Sequence, residues 1–297
     1  MKNKFVHNAL VFFAIFTMTI TGAMANTLEK AKTTGKFTLA YRESSIPFSY
    51  LGEDGKPLGF GWEMCKLIAE EVKKETGRKD LVVESQAVTS QNRIPLIQNG
   101  TVDVECGSTT NNSERGKQVT FAINYFYTGT RFLVKADSGI KSINDLKGKK
   151  VVSTTGTTNY QILRNLNDEK KYGFELLGAK DHADALLMVE SGMANAFGMD
   201  DILLYGLKAS SKESAKLAVV GESIQVEPYA IMFRKDDPKF QALVNKVITN
   251  SIKSGEFEKA YKKWFQTNIP PKNVNLNAPM SKELKDNLKA LSDKPAL

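Results

Sequence analysis

The sequence is poor in the residues that build metal and catalytic centres. It contains two histidines and two cysteines in 297 residues, and none of them stands in a CxxC or HExxH spacing. Zinc and heme sites are built largely from these side chains, so we expect neither a metal nor a cofactor. A Ser–His–Asp or Cys–His catalytic set is not expected either, because so few histidines are present.

The two cysteines leave one question open. Cys65 falls in a helical pattern, and Cys106 stands at the end of a strand pattern. A disulfide requires their Cα atoms to lie within about 7 Å of each other. The sequence does not give that distance, and an oxidising compartment permits such a bridge. The bridged and the free forms therefore both remain alternatives.

Long hydrophobic runs are absent beyond the N-terminal segment. Lys2 and Lys4 precede the apolar run Ala9–Thr21, and the small residues of Ala23–Ala25 follow it. This order is typical of a cleaved signal peptide. The apolar run is shorter than the roughly 20 residues that a transmembrane helix needs. We predict that residues 1–25 are a signal peptide and that the protein is exported. An uncleaved anchor is the alternative.

The sequence also lacks a dense stripe of lysine and arginine with interleaved aromatic residues. This argues against a nucleic-acid partner. Charged residues of both signs make up 25% of the chain, and the formal net charge is +8. Removal of Lys2 and Lys4 with the signal peptide leaves the mature chain with a modest positive net charge, which favours the attraction of small anions.

Strand and helix patterns alternate along the first half of the chain. FTLAYRES alternates as a strand does, and the apolar spacing from Phe60 to Val72 is helical and ends at Gly77. LVVESQAV then reads as the next strand. Strand–helix–strand units at this spacing predict an α/β fold with a mostly parallel sheet.

The second half of the chain echoes the first. RIPLIQNGTVDVECGSTT and ALLMVESGMANAFGMDDI both run from an apolar helix through a glycine to a strand with a polar end. Two extended segments, near residues 125–130 and 225–229, connect the halves. We therefore expect two lobes, residues 26–128 with 229–297 and residues 129–228, joined by two hinge crossovers. The C-terminal helices then return to the first lobe, and the tail after Phe265 is a peripheral wrap.

The segment Ser90–Arg115 carries the strongest indication of a binding site. A short helix, a glycine and a strand separate Ser90 and Arg93 from the hydroxyl-rich turn before Arg115. Open α/β sheets bind ligands outside the carboxyl ends of their strands, so we expect both groups to face one crevice. Guanidinium and hydroxyl donors suit a carboxylate. A solvated turn with two surface arginines is the alternative.

Other strand ends carry polar residues as well. Arg42 follows the first strand, and Thr154–Thr158 forms a turn before a helix, where unpaired N–H groups favour an anion. His182 opens another helix and is expected to contact the ligand. Of Asp200 and Asp201, we expect one to cap the following helix and the other to meet a cation. Ordinary capping is the alternative for each of these residues.

Together these segments resemble a known family. RESSIPFSY, SQNRIPLIQNGTVDVECGSTTNNSER, STTGTT, AKDHADAL and MDD occur in this order. The succession is similar to the periplasmic glutamate/aspartate-binding proteins of ABC transporters, within the polar amino-acid solute-binding family. The resemblance covers about residues 28–275, and its longest motif is specific. It implies an α/β, two-lobe periplasmic-binding-protein-like fold (type II), in which each lobe is a mixed sheet flanked by helices and the lobes close on a free amino acid.

The resemblance also implies partners and a role for each site residue. The partners are L-glutamate or L-aspartate and a membrane permease of the ABC type, and the protein is a periplasmic monomer. Three arginines against one aspartate predict a positively charged site for a ligand with two carboxylates. The implied ligand-binding residues are Arg42, Ser90, Arg93 and His182 for the side-chain carboxylate, Ser108, Thr110, Arg115 and Thr158 for the α-carboxylate, and Asp200 for the α-ammonium group.

Two other functions remain alternatives. An exported enzyme on the same scaffold, such as a dehydratase of a cyclic dicarboxylate, would also use arginines. Its acid or base would have to be His182 or one of Asp200 and Asp201, since no other candidates are available. A sensory module requires a transmembrane or signalling segment, which we do not find in the sequence.

Overall fold

The computed structural model describes residues 26–296. The predicted signal peptide, residues 1–25, lies outside the described residues. Within residues 26–296, no helix combines the length and the apolar character that crossing a membrane demands.

The helices follow the predicted periodicity closely. In α2 the buried residues include Phe60, Met64, Ile68 and Val72, and the helix ends at Gly77, whose positive φ of 68° suits glycine. The helices of the described range are α1 Thr27–Thr34, α2 Phe60–Thr76, α3 Arg93–Gln98, α4 Ser113–Gly116, α5 Thr158–Lys170, α6 His182–Glu190, α7 Asp201–Ser210, α8 Pro238–Ser254, α9 Glu256–Phe265 and α10 Lys282–Ala290.

The strands alternate with these helices as expected for an α/β fold. Two short strand groups lie outside the main sheet, β2 with β3 and β4, and β13 with β14. The strands of the described range are β1 Lys36–Tyr41, β2 Ser44–Ser45, β3 Ser49–Leu51, β4 Pro57–Leu58, β5 Val82–Ala87, β6 Val104–Glu105, β7 Val119–Lys135, β8 Lys150–Thr154, β9 Glu175–Ala179, β10 Ala196–Asp200, β11 Leu217–Val220, β12 Val226–Arg234, β13 Asn268–Ile269 and β14 Val274–Asn275.

Two sets of parallel strands flank a central antiparallel pair. The strand order is β5-β1-β6-β12-β7-β10-β8-β9, with β11 beside β7. β1 runs parallel to β5 and β6, and β8 runs parallel to β9 and β10. β12 and β7 run antiparallel to each other. The mixed sheet with flanking helices agrees with the fold class that the family motif implied. The mostly parallel sheet expected from the alternation of strands and helices is wrong, because β7 and β12 add antiparallel pairings.

The long strand β7 belongs to both sets of strands. Its residues 119–129 pair with β12, while residues 130–134 pair with β10. The extended segments expected near residues 125–130 and 225–229 are therefore the middle of β7 and the start of β12. They lie side by side, with Val226 opposite Gly129 and Tyr229 opposite Phe126. The chain thus passes between the two strand sets along neighbouring paths.

Two elements differ from the sequence pattern. The strand that the sequence pattern places before the hydroxyl-rich turn is reduced to β6, Val104–Glu105, and Cys106 follows it and bonds to Cys65. The Cα atoms of this disulfide lie 5.7 Å apart, which answers the question that the sequence left open. The C-terminal helical region divides into α8 and α9 at Gly255, whose φ of 79° interrupts the helix.

The C-terminal helices pack against the first strand set, as expected. Helix α8 lies against α2 and β7, and α9 also contacts α2. The tail is more firmly attached than a peripheral wrap, because α10 buries Leu284 and Asn287. The Asn287 amide donates to the carbonyl of Asn124 on β7 over 2.7 Å. The tail is thus part of the packing around β7.

Candidate ligand-binding site

The predicted site residues converge at the ends of the strands. They surround a small cavity. Arg42 and Arg115 do not line this cavity but contact residues that do. The predicted residues that line it are Ser90, Arg93, Ser108, Thr110, Thr158, His182 and Asp200.

Arg42 is completely buried directly after β1. Its Nη2 atom lies 3.3 Å from a carboxylate oxygen of Asp181 and 3.4 Å from Nε2 of His182. Its Nε and Nη1 atoms have no hydrogen-bond partner. A buried donor without a partner is costly, and more so when it is charged. The guanidinium therefore has free capacity for an anion.

Arg93 repeats this arrangement from the start of α3. Its Nη1 donates to the hydroxyl of Thr109 at 2.5 Å, while its Nε and the neighbouring Ser90 Oγ have no partner. Burial, together with the positive charge of Arg115, lowers the pKa of Arg93 to about 9. An anion beside Arg93 would relieve both effects.

Arg115 lies on α4, whose N-cap is Asn112. The guanidinium donates to the carbonyl of Thr110 at 2.9 Å and to the carbonyl of Gly156 at 3.2 Å. Burial lowers its pKa as well. Because Gly156 precedes α5, this side chain joins the two strand sets across the cavity.

His182 is the first residue of α6, and the Asp181 side chain caps that helix. Burial and the Arg42 charge lower the pKa of His182 to about 3, so the ring is neutral at pH 7. Its Nε2 faces the Arg42 guanidinium, which can only donate. We therefore assign the proton to Nδ1, which lies 2.8 Å from the Thr154 hydroxyl.

Asp200 is buried at the end of β10. One oxygen accepts from the Asn159 amide at 2.8 Å, and the other accepts from the Tyr229 hydroxyl. Burial, together with the negative charge of Glu227, raises the pKa of Asp200 to about 7. A cation next to this carboxylate would favour its charged form.

Asp201 turns away from the cavity. Its Oδ1 accepts from the backbone N–H of Ile202 at 2.7 Å and from the Thr128 hydroxyl at 2.7 Å. Thr128 lies on β7, so Asp201 supports the start of α7 against the central strand. Of the two aspartates, Asp200 lines the cavity and Asp201 makes the local contacts.

The threonine turn before α5 has a divided role. Thr157 caps the helix by accepting from the backbone N–H of Tyr160 at 3.1 Å, which is ordinary capping. Thr158, by contrast, donates to a carboxylate oxygen of Glu227 at 2.8 Å. The turn also lies very close to the other strand set. A Cβ added at Gly156 would lie 2.6 Å from Cα of Gln91.

Sequence reasoning missed three buried or half-buried carboxylates near the arginines. Glu105 accepts from the Thr109 hydroxyl at 2.6 Å, Asp181 contacts Arg42, and Glu227 contacts Thr110. The expected count of three arginines against one aspartate was therefore wrong, because these groups add negative charge. The only signal in the sequence was a lone glutamate inside the apolar strands that became β6 and β12.

The family model of bacterial extracellular solute-binding proteins, family 3, matches residues 37–267. The chain belongs to this family. It is 48% identical over 289 residues to the L-glutamate/L-aspartate-binding protein of Pseudomonas aeruginosa, covering 97% of this chain and 96% of that protein. It is 46% identical over 272 residues to the glutamate/aspartate import solute-binding protein of Escherichia coli strain K12, covering 92% of this chain and 90% of that protein.

Solved structures agree with the fold. A mutant of ArgBP from T. maritima superposes with a TM-score of 0.71 at 25% identity, covering 81% of this chain and 99% of that one. The fold is that of the type II periplasmic binding proteins, as the sequence motifs implied. The comparisons favour solute binding, and the relatives give no support to the enzyme alternative.

Proposed function

We propose that the protein captures L-glutamate or L-aspartate between two lobes and delivers it to an ABC-type permease. The observation that carries the proposal is the set of unpartnered donors on Arg42, Ser90 and Arg93. Ser90, Arg93 and Asp200 line one cavity, and Arg42 contacts His182 in its lining. An acidic amino acid presents a carboxylate to the first group and an ammonium group to the second. The names of the Pseudomonas and Escherichia relatives support the same ligand.

We start from the roles that the family motif implies. We assign the side-chain carboxylate to Arg42, Ser90, Arg93 and His182. The neutral His182 ring adds no charge beside Arg42. To donate to the ligand carboxylate, the ring carries its proton on Nε2 in the bound state, with the Thr154 hydroxyl then donating to Nδ1. We assign the α-carboxylate to Arg115 with Ser108, Thr110 and Thr158, and the α-ammonium group to Asp200.

We further propose that the lobes are residues 26–128 with 229–297 and residues 129–228, and that they close on the ligand. The hydrogen bonds of Arg42 to Asp181 and of Arg115 to Gly156 support this division, because each joins residues of different lobes. Two adjacent crossover strands permit such a rotation. A ligand that contacts both lobes then favours the closed form.

The remaining parts of the proposal concern place and partners. The matched family is one of extracellular proteins. We propose that residues 1–25 are removed on export, that the mature chain is a periplasmic monomer, and that it binds no nucleic acid. N-terminal sequencing of the exported protein should begin at Asn26, and an intact Met1 would contradict cleavage.

Calorimetry with ligand-stripped protein tests the ligand. We expect glutamate and aspartate to bind with micromolar or tighter affinity, about −8 kcal/mol or better. Glutamine should bind at least about 100-fold more weakly, about 2.7 kcal/mol, because its amide NH₂ leaves the arginine donors unpaired. Binding of glutamine within tenfold of glutamate would overturn the proposal.

Two arginine variants test the assigned ends of the ligand. Arg93→Ala should narrow the gap between glutamate and glutamine, because it removes a donor to the side-chain carboxylate. Arg115→Ala should weaken both ligands alike, since they share the α-carboxylate. The same calorimetric titrations measure both effects, and an unchanged gap in Arg93→Ala would contradict the assignment.

A further inference from the structure

Glu227 is a buried carboxylate that the family motif does not include. It lies at the second position of β12, within one of the crossover strands. One of its oxygens, Oε2, accepts from the Thr110 hydroxyl at 3.0 Å and from the Thr158 hydroxyl at 2.8 Å. The other oxygen accepts from the Gln225 amide at 2.7 Å. A single oxygen thus joins the turn after β6, the start of α5 and the crossover.

These contacts fix the direction of both threonine hydroxyls. A hydroxyl carries one proton and two acceptor lone pairs. The two threonine oxygens also lie 3.2 Å from each other. A carboxylate is a stronger acceptor than a neutral hydroxyl, so each threonine gives its proton to Glu227. Towards the cavity, Thr110 and Thr158 then present lone pairs only.

An acceptor surface of this kind suits an ammonium group and repels a carboxylate. Asp200 lines the same cavity as Thr110 and Thr158. Burial and the negative charge of Glu227 raise the pKa of Asp200, which indicates that two carboxylates share this end of the site. A cation between them would relieve their repulsion.

We propose that Glu227 is a specificity-determining residue, because it turns the Thr110 and Thr158 hydroxyls into acceptors that select the α-ammonium group together with Asp200. This inference rests on the proposed function, and it revises the role of the two threonines. Arg115 and Ser108 then hold the α-carboxylate. Glu227 acts through the threonines and is a positioning residue in this sense.

The test compares L-glutamate with glutarate, which has the same two carboxylates and no ammonium group. Calorimetry, with competition titrations for the weaker ligand, gives the ratio of the two affinities. We expect Glu227→Ala to lower this ratio by about tenfold or more, equivalent to about 1.4 kcal/mol. Glutamate should bind more weakly, while glutarate should bind equally well or more tightly, because a negative charge is gone.

Two further variants separate the possible causes. Glu227→Gln keeps an acceptor oxygen but loses the charge, so we expect a smaller fall of the ratio, about threefold or more, with the fold retained. Glu222→Ala removes an exposed glutamate just before the same strand and should leave the ratio unchanged.

The outcomes distinguish this inference from the proposed function. An unchanged ratio of the two affinities in both Glu227 variants would overturn the inference. An equal rise in the affinities for glutamate and glutarate would also overturn it, because Glu227 would then be a competitor of the ligand carboxylate. If the unmodified protein bound neither glutamate nor aspartate, the proposed function itself would fail. Because the readout is a ratio, a general loss of stability does not imitate the expected result.

Discussion

Gly156→Ala should weaken ligand binding by preventing the lobes from closing fully. A Cβ at this position would lie 2.6 Å from Cα and 2.7 Å from N of Gln91, whereas ordinary contacts lie at 3.4–4 Å. The backbone at Gln91 is held by flanking hydrogen bonds, including Arg93 N–H to the Thr89 carbonyl at 3.2 Å. The lobes must therefore separate by a few tenths of an ångström or more to accept the methyl group.

The magnitude follows from the cost of overpacking. Such clashes cost about 1–3 kcal/mol, which corresponds to a loss of affinity of about 5- to 150-fold. The open form does not bear this cost if Gly156 and Gln91 belong to the two different lobes that we propose. Calorimetry measures the affinity, and small-angle X-ray scattering with and without glutamate measures the closure.

Gly148→Ala is the matched control. Gly148 has a φ of 70°, close to the 79° of Gly156, but no atom lies within 4 Å of a Cβ built there. Both variants therefore bear the left-handed strain of about 1–2 kcal/mol, and both should lose stability. Only Gly156→Ala should lose affinity. If both variants bound glutamate equally well and contracted equally on binding, the reasoning about closure would be refuted.

Three further predictions concern the aspartates and the disulfide. Asp200→Ala should weaken glutamate binding by about 3–5 kcal/mol in calorimetry, because the ammonium group loses its buried partner. Asp201→Ala should instead lower the free energy of unfolding by about 1 kcal/mol and leave the affinity unchanged. If the two variants showed the opposite effects, the roles assigned to the two aspartates would be exchanged. Burial raises the pKa of Asp200 from 3.8 to about 7. Between about pH 4 and pH 7 the folded state therefore keeps a proton that the unfolded chain has lost. The free energy of unfolding of the ligand-free protein falls over this range because of this group. Asp200→Asn removes the titrating group and with it this loss. The free energy of unfolding of the variant, measured in urea, should therefore rise relative to that of the unmodified protein between about pH 4 and pH 7. A difference between the two proteins that stays constant over this range would contradict the prediction. Replacing Cys65 and Cys106 by serine opens a loop with a sequence separation of 41, which should lower the free energy of unfolding by about 4 kcal/mol, and an unchanged urea midpoint would contradict that estimate.

The elements with regular periods could be predicted from the sequence. Helix α2 was recognisable from its apolar spacing and from Gly77, because both features depend on local backbone geometry. That Arg42 and Arg93 lie at one edge also followed, since the parallel strands β1 and β5 bring their carboxyl ends there. Asp200 ends β10 in the other strand set, which joins the first through the antiparallel strands β7 and β12, and strand parallelism alone does not bring it to the arginines. The roles of these residues came from the family motif rather than from their spacing.

Other features depend on contacts that the sequence does not show. Whether Cys65 reaches Cys106 depends on how α2 packs against β6. Glu227 was missed because a glutamate in a strand normally faces solvent, and its burial results from two threonines contributed by separate segments. Asp181 caps α6, and its contact with Arg42, which is distant in the sequence, depends on the packing of the two strand sets.

A crystal structure of the protein with L-glutamate tests the central claim most directly. We predict that the ligand occupies the cavity with its side-chain carboxylate within hydrogen-bond distance of the Arg42 and Arg93 guanidinium groups, whose Nε atoms have no partner. The α-ammonium group should contact Asp200. A ligand bound in the reverse orientation, or outside this cavity, would contradict the account.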